Sequence, residues 1–420
     1  MRTQIQSPLA DTAAGAIAES VLRACVHCGM CNAVCPTYQI TGDELDGPRG
    51  RIYLIKEALE GGAVGPLTLG HLDRCLSCRA CESACPSGVD YHRLYDIGRA
   101  EVVRRAPRSW TGRLARAAIR TVFARSARVA LLLTLARPLR WLLPRTLARK
   151  IPLRRPLGRV PVGRKPRTMI LLAGCVQAAA APHFNAAARR VFDRIGVSLC
   201  EPAGGRCCGA LSAHLDAPAE ARALAKRNID AWSAALADGA EALVITASGC
   251  AAFVRDYPDL LADDPAYAQK ARHIAGLVTD PIEVVDAAPI TPAASPQAPR
   301  VAVHEPCTLQ NGPALGGRIA ALLTRLGYDT QPVADAHLCC GSAGAYSLLQ
   351  PAFAQALRAK KLAALTAHDP AAIYTANIGC WLHLGETSPV PVRHWIEAVD
   401  AVLGKGAPAA TATAPATVIA

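Results

Sequence analysis

Nowhere does this chain come close to the ~18 consecutive apolar residues that a membrane-spanning helix requires. Its longest candidate, VALLLTLA at 129–136, is eight residues long and bracketed by arginines. The opening MRTQIQSPLADTAAGAIAES holds one Arg and no apolar run that could form the centre of a secretory signal. A strand–GxGxxG–helix fingerprint is also missing, and the Gly204-Gly205 turn leads into a cysteine pair instead. The chain therefore carries no recognisable flavin or nicotinamide fold of its own. No residue is assigned a catalytic role, and substrate chemistry is expected elsewhere. Acidic residues vanish altogether between Glu101 and Asp193. The stretch 102–167 holds 19 Lys or Arg, so the remainder nets −6 against an overall +13. That basic stretch has no interleaved aromatic platform and no recognised nucleic-acid motif, which argues against nucleic acid as its partner.

Cysteine, by contrast, is abundant: 17 residues. Eight fall into two copies of one spacing, Cys25-x2-Cys28-x2-Cys31-x3-Cys35-Pro36 and Cys75-x2-Cys78-x2-Cys81-x3-Cys85-Pro86, each position 50 residues after its counterpart. Soft iron prefers thiolate sulfur. Three cysteines at this spacing on a tight loop can present sulfur to three corners of an iron–sulfur cube, and the proline turns the chain away after the fourth. In the two-cluster bacterial ferredoxin pattern the fourth Cys of each run serves the other cube. The expected [4Fe–4S] ligands are thus Cys25, Cys28, Cys31 and Cys85 for one cluster, and Cys35, Cys75, Cys78 and Cys81 for the other. Structural zinc favours CxxC pairs set farther apart. Disulfides suit small secreted domains rather than 420 residues with an odd cysteine count. Thiols in such number point to a reducing cytosol.

A second duplication fills the remainder. Cys175, Cys207-Cys208-Gly209 and Cys250 are matched by Cys307, Cys339-Cys340-Gly341 and Cys380, at offsets of 132, 132, 132 and 130 residues. Each copy alternates apolar strand-like pieces (MILLAG, ALVIT; VAVHE, AAIYT) with helix-like ones (AAARRVFDRIG; RIAALLTRLG), the pattern of a small α/β unit with a parallel sheet. The expected architecture is α+β/α/β: a mainly helical two-cluster module at 21–100, a basic, partly helical linker at 101–166, and cysteine-rich repeats at 167–295 and 296–404. A low-complexity tail at 405–420 is expected to be disordered. Between the cysteine runs a helix is predicted over Ile52–Leu59, stopped by Gly61-Gly62, with Arg49 and Arg51 near the clusters in sequence. The later quartets, Cys175, Cys207, Cys208, Cys250 and Cys307, Cys339, Cys340, Cys380, could hold a further cluster, form a redox disulfide, or be buried small apolar groups. His304 and His383 stay outside the site set, since a lone His is more often structural.

The linker leaves several readings open. Arg113, Arg116, Arg120, Arg125 and Arg128 recur at helical spacing with Leu114, Ala118, Val122 and Phe123 between them. Such a helix can lie on an anionic membrane without crossing it, dock an acidic partner, or be a solvated connector.

The duplicated half resembles the cysteine-rich domains found in heterodisulfide reductases and in the iron–sulfur subunits of several dehydrogenases. The fullest form of that motif ends in Cys-x-x-Cys, whereas Ala247 and Asn377 hold the first of those positions here. Across nearly its full length, on GDELDGPRGRIYLIK, HLDRCLSCRACESACPSGVDYH, NIDAW, TASGC, HLCCGSAGAY, TANIGC and VRHWIE, the chain resembles the iron–sulfur subunits of bacterial glycolate oxidase. That resemblance implies two [4Fe–4S] clusters on the eight N-terminal cysteines and partner subunits carrying FAD. It also implies oxidation of glycolate to glyoxylate, with electrons delivered to a membrane acceptor such as quinone and a cytoplasmic location at the inner membrane. Related readings are the equivalent subunit of a lactate or glycerol-3-phosphate dehydrogenase, or a heterodisulfide-reductase-like catalyst.

Overall fold

The computed structural model describes residues 1–6, 8–290 and 299–405. The expected disordered tail lies outside these, apart from Lys405, which closes the last helix.

The N-terminal region is helical, its main helices spanning Ala13–Ala24, Pro48–Leu59, Pro66–Asp73 and Tyr91–Arg105. Leu22, Ile55, Leu59, Leu72 and Leu94 form its fully buried centre, each worth about 2 kcal/mol of burial. The helix predicted from Ile52 begins earlier, because Pro48 sits at its first position, where the missing N–H costs nothing. It packs closely on Tyr91–Arg105: a Cβ at Gly98 would fall 2.2 Å from Ile55 Cγ2, so only glycine fits that crossing.

Each repeat builds one parallel four-stranded sheet. In the first, β1 (Arg167–Leu171), β2 (Val197–Cys200), β3 (Leu243–Val244) and β4 (Val278–Thr279) lie in the order 2-1-3-4. In the second, β5 (Arg300–His304), β6 (Asp329–Gln331), β7 (Ala372–Thr375) and β8 (Val392–His394) lie in the order 6-5-7-8. Registers match as well: Ile170 faces Leu243 and Ala302 faces Ile373. β1 and β5 are buried after their first residue, as strands covered on both faces must be. This order places a crevice where neighbouring strands diverge, beyond the carboxyl ends of β1 and β3 and of β5 and β7. Cys175, Cys250, Cys307 and Cys380 follow those four strands, while the paired cysteines follow β2 and β6.

The two repeats share one core, in which Val191 and Phe192 of the helix Pro182–Arg194 meet Trp395 and Val399 of the helix Trp395–Lys405. Backbone joins them too, as Ser248 N donates to Ala376 O at 3.2 Å and His394 Nε2 lies 2.9 Å from Thr246 O.

The basic linker forms helices Trp110–Phe123 and Ser126–Ala136 before breaking at its prolines. Several of its arginines turn inward, unlike those of a helix devoted to an outside surface. Arg108 and Arg116, with Arg99, enclose Asp73 of the helical module and Asp216 of repeat 1. Arg99 lies 2.7 Å from Asp216, and Arg116 lies 3.1 Å from Asp73. Arg120 continues the brace to Leu215 O and Glu220. Elsewhere the linker exposes Leu131, Leu132, Leu135, Leu139 and Trp141, the last 80% accessible. Among the described residues no helix is long and apolar enough to cross a membrane.

Burial alone would raise the Asp216 pKa, yet Arg99, Arg108 and Arg116 hold it below the ordinary carboxylate value. Its contribution to stability is therefore present at neutral pH and lost only as pH falls through that lowered pKa, below about pH 4. Asp216→Asn keeps a residue tolerant of the left-handed backbone found there (φ 60°) and removes the charge. It should cost about 2 kcal/mol, less than a fully buried pair. The melting temperature should fall, and limited proteolysis should open a new cut at 105–110.

Candidate metal centres

Both N-terminal cysteine loops use the same backbone device. His27 (φ 56°) and Gly29 (φ 84°) in the first are matched by Ser77 (φ 49°) and Arg79 (φ 59°) in the second, all left-handed. Such turns point successive N–H groups into a concavity that favours an anion. Glycine at 29 suits that backbone, and a Cβ there would make Arg49 Nη1, 2.5 Å away, move aside. Arg79 bears the left-handed cost of about 1 kcal/mol and is anchored by an ion pair with Asp256 of repeat 1.

The loops exchange their fourth cysteines. Cys25, Cys28, Cys31 and Cys85 line one cavity, with Cys81 closing the side towards the second set. Burial, then the neighbouring Cys25, Cys85 and Cys28, push the Cys31 thiol up to about 11. In the second set, burial and then Cys78, Cys75 and Cys35 drive the Cys81 thiol well above its ordinary value. Thiols that oppose one another's ionisation in this way suit a shared cationic centre, so both sets fit an iron–sulfur cube. Around them Ser77 N reaches Cys75 Sγ at 3.4 Å, Val89 N reaches Cys85 Sγ at 3.5 Å, and Tyr91 Oη donates to Cys75 Sγ at 3.7 Å.

Of the two arginines singled out from sequence, Arg49 pairs with Glu44 near the first set. Arg51 is 1% exposed, with Nη1 3.9 Å from Cys35 Sγ, Nη2 3.0 Å from Thr37 Oγ1 and Nε 2.8 Å from His71 O. Burial by itself would weaken its charge, but Cys75 and Cys35, with Tyr91, more than offset this and raise its pKa. Asp46, fully buried, is held at 2.8 Å by both Arg74 and His71 and lies 3.9 Å from Arg51.

The later quartets also converge, each as a chain of thiol contacts. Cys175, Cys207, Cys208 and Cys250 link in that order in repeat 1. There Cys207, accepting from Cys175 and Cys208, is held below the ordinary thiol value. In repeat 2, Cys307 Sγ lies 3.9 Å from Cys339 Sγ, and Cys340 bridges Cys339 to Cys380. The glycine after each pair makes the turn: Gly341 has φ 90°, and a Cβ there would fall 2.7 Å from Ala354 O. Sequence reasoning sets aside His304, which the end of β5 places beside Cys340 and Cys380. Its position three residues before Cys307 is the signal that points to it. His383 points elsewhere, its Nε2 3.0 Å from Ala354 O.

Repeat 2 docks against the second N-terminal set. Asn311 Nδ2 donates to Cys78 O at 2.8 Å, and Tyr346 Oη donates to Arg74 O at 3.1 Å. Cys35, Cys75, Cys78, Cys81 and Cys307 line one cavity of 760 Å³.

Arg51→Met should lower the midpoint potential of an iron–sulfur centre in the Cys35 set, since it removes the cation beside two of its sulfurs. A centre in the Cys25 set should keep its potential. Asp46 retains Arg74 and His71, so the fold should survive a loss of about 3 kcal/mol. A redox titration followed by electron paramagnetic resonance separates the two; equal shifts would contradict this local effect.

Comparison with known proteins agrees with this geometry. A 4Fe-4S dicluster domain model matches residues 21–89, and a cysteine-rich domain model matches twice, at 169–255 and 301–385. The glycolate oxidase iron-sulfur subunit of Escherichia coli (strain K12) is 46% identical over 407 residues, covering 96% of this chain and 100% of that protein. A probable glycolate oxidase iron-sulfur subunit of Bacillus subtilis (strain 168) is 30% identical, covering 87% of this chain and 89% of its own. Lactate utilization protein A of Exiguobacterium sp. (strain ATCC BAA-1283 / AT1b) is 24% identical over 55% of this chain and 96% of its own. With both N-terminal cysteine sets assembled ahead of two cysteine-rich α/β units, and with relatives matched over nearly its full length, the chain belongs to the family of glycolate oxidase iron–sulfur subunits.

Proposed function

We propose that this chain is the electron-transfer subunit of a glycolate dehydrogenase complex, in which a partner subunit carrying FAD oxidises glycolate to glyoxylate. In this reading Cys25, Cys28, Cys31 and Cys85 hold one [4Fe–4S] cluster, and Cys35, Cys75, Cys78 and Cys81 hold the other. When bound, these clusters supply one-electron relay between a two-electron flavin and a membrane acceptor such as quinone. The observation that carries the reading is the reciprocal exchange of Cys35 and Cys85, which brings four thiols around each of two neighbouring points. The names of the related proteins support glycolate as the substrate.

The chain's own residues position and tune. The left-handed turns aim backbone N–H groups inward, Arg51 sets the local charge of the second set, and the brace at Asp73 and Asp216 fixes that module against repeat 1. Peripheral contact with the cytoplasmic face of the inner membrane is supported by the exposed Leu131, Leu135, Trp141 and Leu142. They lie among Arg128, Arg137, Arg140, Arg149 and Lys150 on a segment without acidic residues. Apolar side chains enter the headgroup region while cations meet anionic lipid.

The assembled complex, purified anaerobically, should show both clusters reduced on adding glycolate. Cys31→Ser and Cys85→Ser should deplete the same cluster, while Cys35→Ser depletes the other. Loss of different clusters in the first two variants would overturn the crossed ligation. Turnover with lactate and none with glycolate would overturn the substrate.

A further inference from the structure

The two cysteine-rich repeats share a scaffold but not a chemistry. In repeat 1 two positions around the quartet hold neutral side chains, Leu172 and Asn228. Leu172 follows directly on β1, three residues before Cys175. Asn228 donates to Cys207 O at 2.8 Å and to Tyr257 Oη at 3.0 Å, and Tyr257 Oη donates to Cys208 O at 2.7 Å. In repeat 2 the position three residues before Cys307 is His304. It is 2% exposed, and its Nε2 has no hydrogen-bond partner among the described residues. The tenth residue after the proline that opens the long helix is Asn228 in repeat 1 and Lys361 in repeat 2. Lys361 is 3% exposed, with its ammonium donating to Asp335 O at 2.7 Å and to Ala336 O at 3.3 Å. Burial holds its pKa below the ordinary lysine value, and the nearby Cys340, Cys339, Asp335 and Cys307 offset that only in part.

An orphaned buried imidazole nitrogen costs about 1–3 kcal/mol, and a buried ammonium costs more unless anionic groups face it. A metal centre accounts for both. The donor atoms of His304, Cys340 and Cys380 lie within 4.8 Å of one another; Cys339 contacts Cys340, and Cys307 Sγ lies 3.9 Å from Cys339 Sγ. Neutral imidazole is a common metal ligand, and Lys361 offsets the negative charge of a thiolate-rich centre. Five donors exceed the four that a closed tetrahedral zinc site takes, which favours a polynuclear iron–sulfur centre.

We infer that repeat 2 holds a third iron–sulfur centre ligated by His304 Nε2 together with Cys307, Cys339, Cys340 and Cys380, and that repeat 1 has no imidazole-ligated counterpart. The inference rests on the iron–sulfur reading of the N-terminal module. It places a mixed-ligand centre against the Cys35 set, whose cavity Cys307 lines and whose Cys78 carbonyl is held by Asn311.

The test uses the full complex, prepared anaerobically from cells fed 15N-histidine or unlabelled histidine. Oxidised and reduced samples are examined by pulsed electron paramagnetic resonance, and iron and zinc are counted per chain. The inference expects iron above the ~8 that two cubes hold and a directly coordinated imidazole nitrogen that changes with the isotope. His304→Leu, which installs the residue of repeat 1, should abolish that coupling and leave both N-terminal cluster signals intact. Iron at or below about eight, zinc in the site, no nitrogen coupling in either redox state, or coupling that persists in His304→Leu would each overturn it. If His304→Leu does not fold, the isotope-dependent coupling and the iron count of the unaltered complex decide alone. Missing N-terminal cluster signals would instead sink the reading on which it rests, so the two failures are distinguishable.

Discussion

Sulfur ligands separated by about fifty residues must be brought into one place and kept there, and the rest of the molecule follows from that requirement. Cys35 and Cys85 cross between loops, so neither thiol set can assemble unless both loops are formed and facing each other. The helices Pro48–Leu59 and Tyr91–Arg105 hold them so, packed to the limit that Gly98 allows. Crowding and burial raise the thiol pKa values, so ionising a whole set is costly until a cationic centre offsets it. Binding such a centre therefore couples ligation to folding.

The same constraint explains why the helical module is clamped rather than tethered. Electron exchange between centres needs fixed separation, and each contact with the repeats comes from a residue next to a cysteine or on an adjoining helix. Arg79, between Cys78 and Cys81, pairs with Asp256, and Arg93 reaches Asp259 at 2.8 Å. Asn311, four residues after Cys307, holds the Cys78 carbonyl. The arginine brace at Asp73 and Asp216 adds a further anchor. A segment that looked like a connector thus does two jobs, one part locking units together and another left apolar and basic.

What could be read from sequence was whatever depends on local spacing. A CxxCxxCxxxCP run is a geometric instruction carried within a dozen residues, and duplication at fixed offsets survives as periodic landmarks. The parallel α/β units followed from strand–helix alternation, because buried strands such as those in MILLAG and VAVHE are apolar along almost their whole length. Arg51 and His304 could be placed near the cysteines in sequence, but their contacts, and Asp216 altogether, were opaque for the converse reason. Arg51 matters through Cys35 and Cys75, sixteen and twenty-four residues away on opposite sides in the chain. Asp216 gathers Arg99, Arg108 and Arg116, all a hundred or more residues earlier. His304 gains meaning only when β5 and β7 lie side by side and bring Cys380 to it. Long-range pairing of this kind leaves no period for a single sequence to display.

Duplication then poses a physical choice that the two repeats resolve differently. Both keep the Cys-Cys-Gly turn at the crevice between diverging strands, where a left-handed glycine allows the thiol pair to lie against a long helix. Repeat 1 holds the carbonyls of its cysteine pair with the neutral side chains of Asn228 and Tyr257. Repeat 2, the copy whose first cysteine lines the Cys35 cavity, instead buries an imidazole with an unpartnered Nε2 and an ammonium at matching positions. Neutral packing would be the more stable solution for a purely structural unit. Retaining both groups at the face nearest the second thiol set places the cost where charge must be stabilised, and leaves repeat 1 as the scaffold against which that face is held.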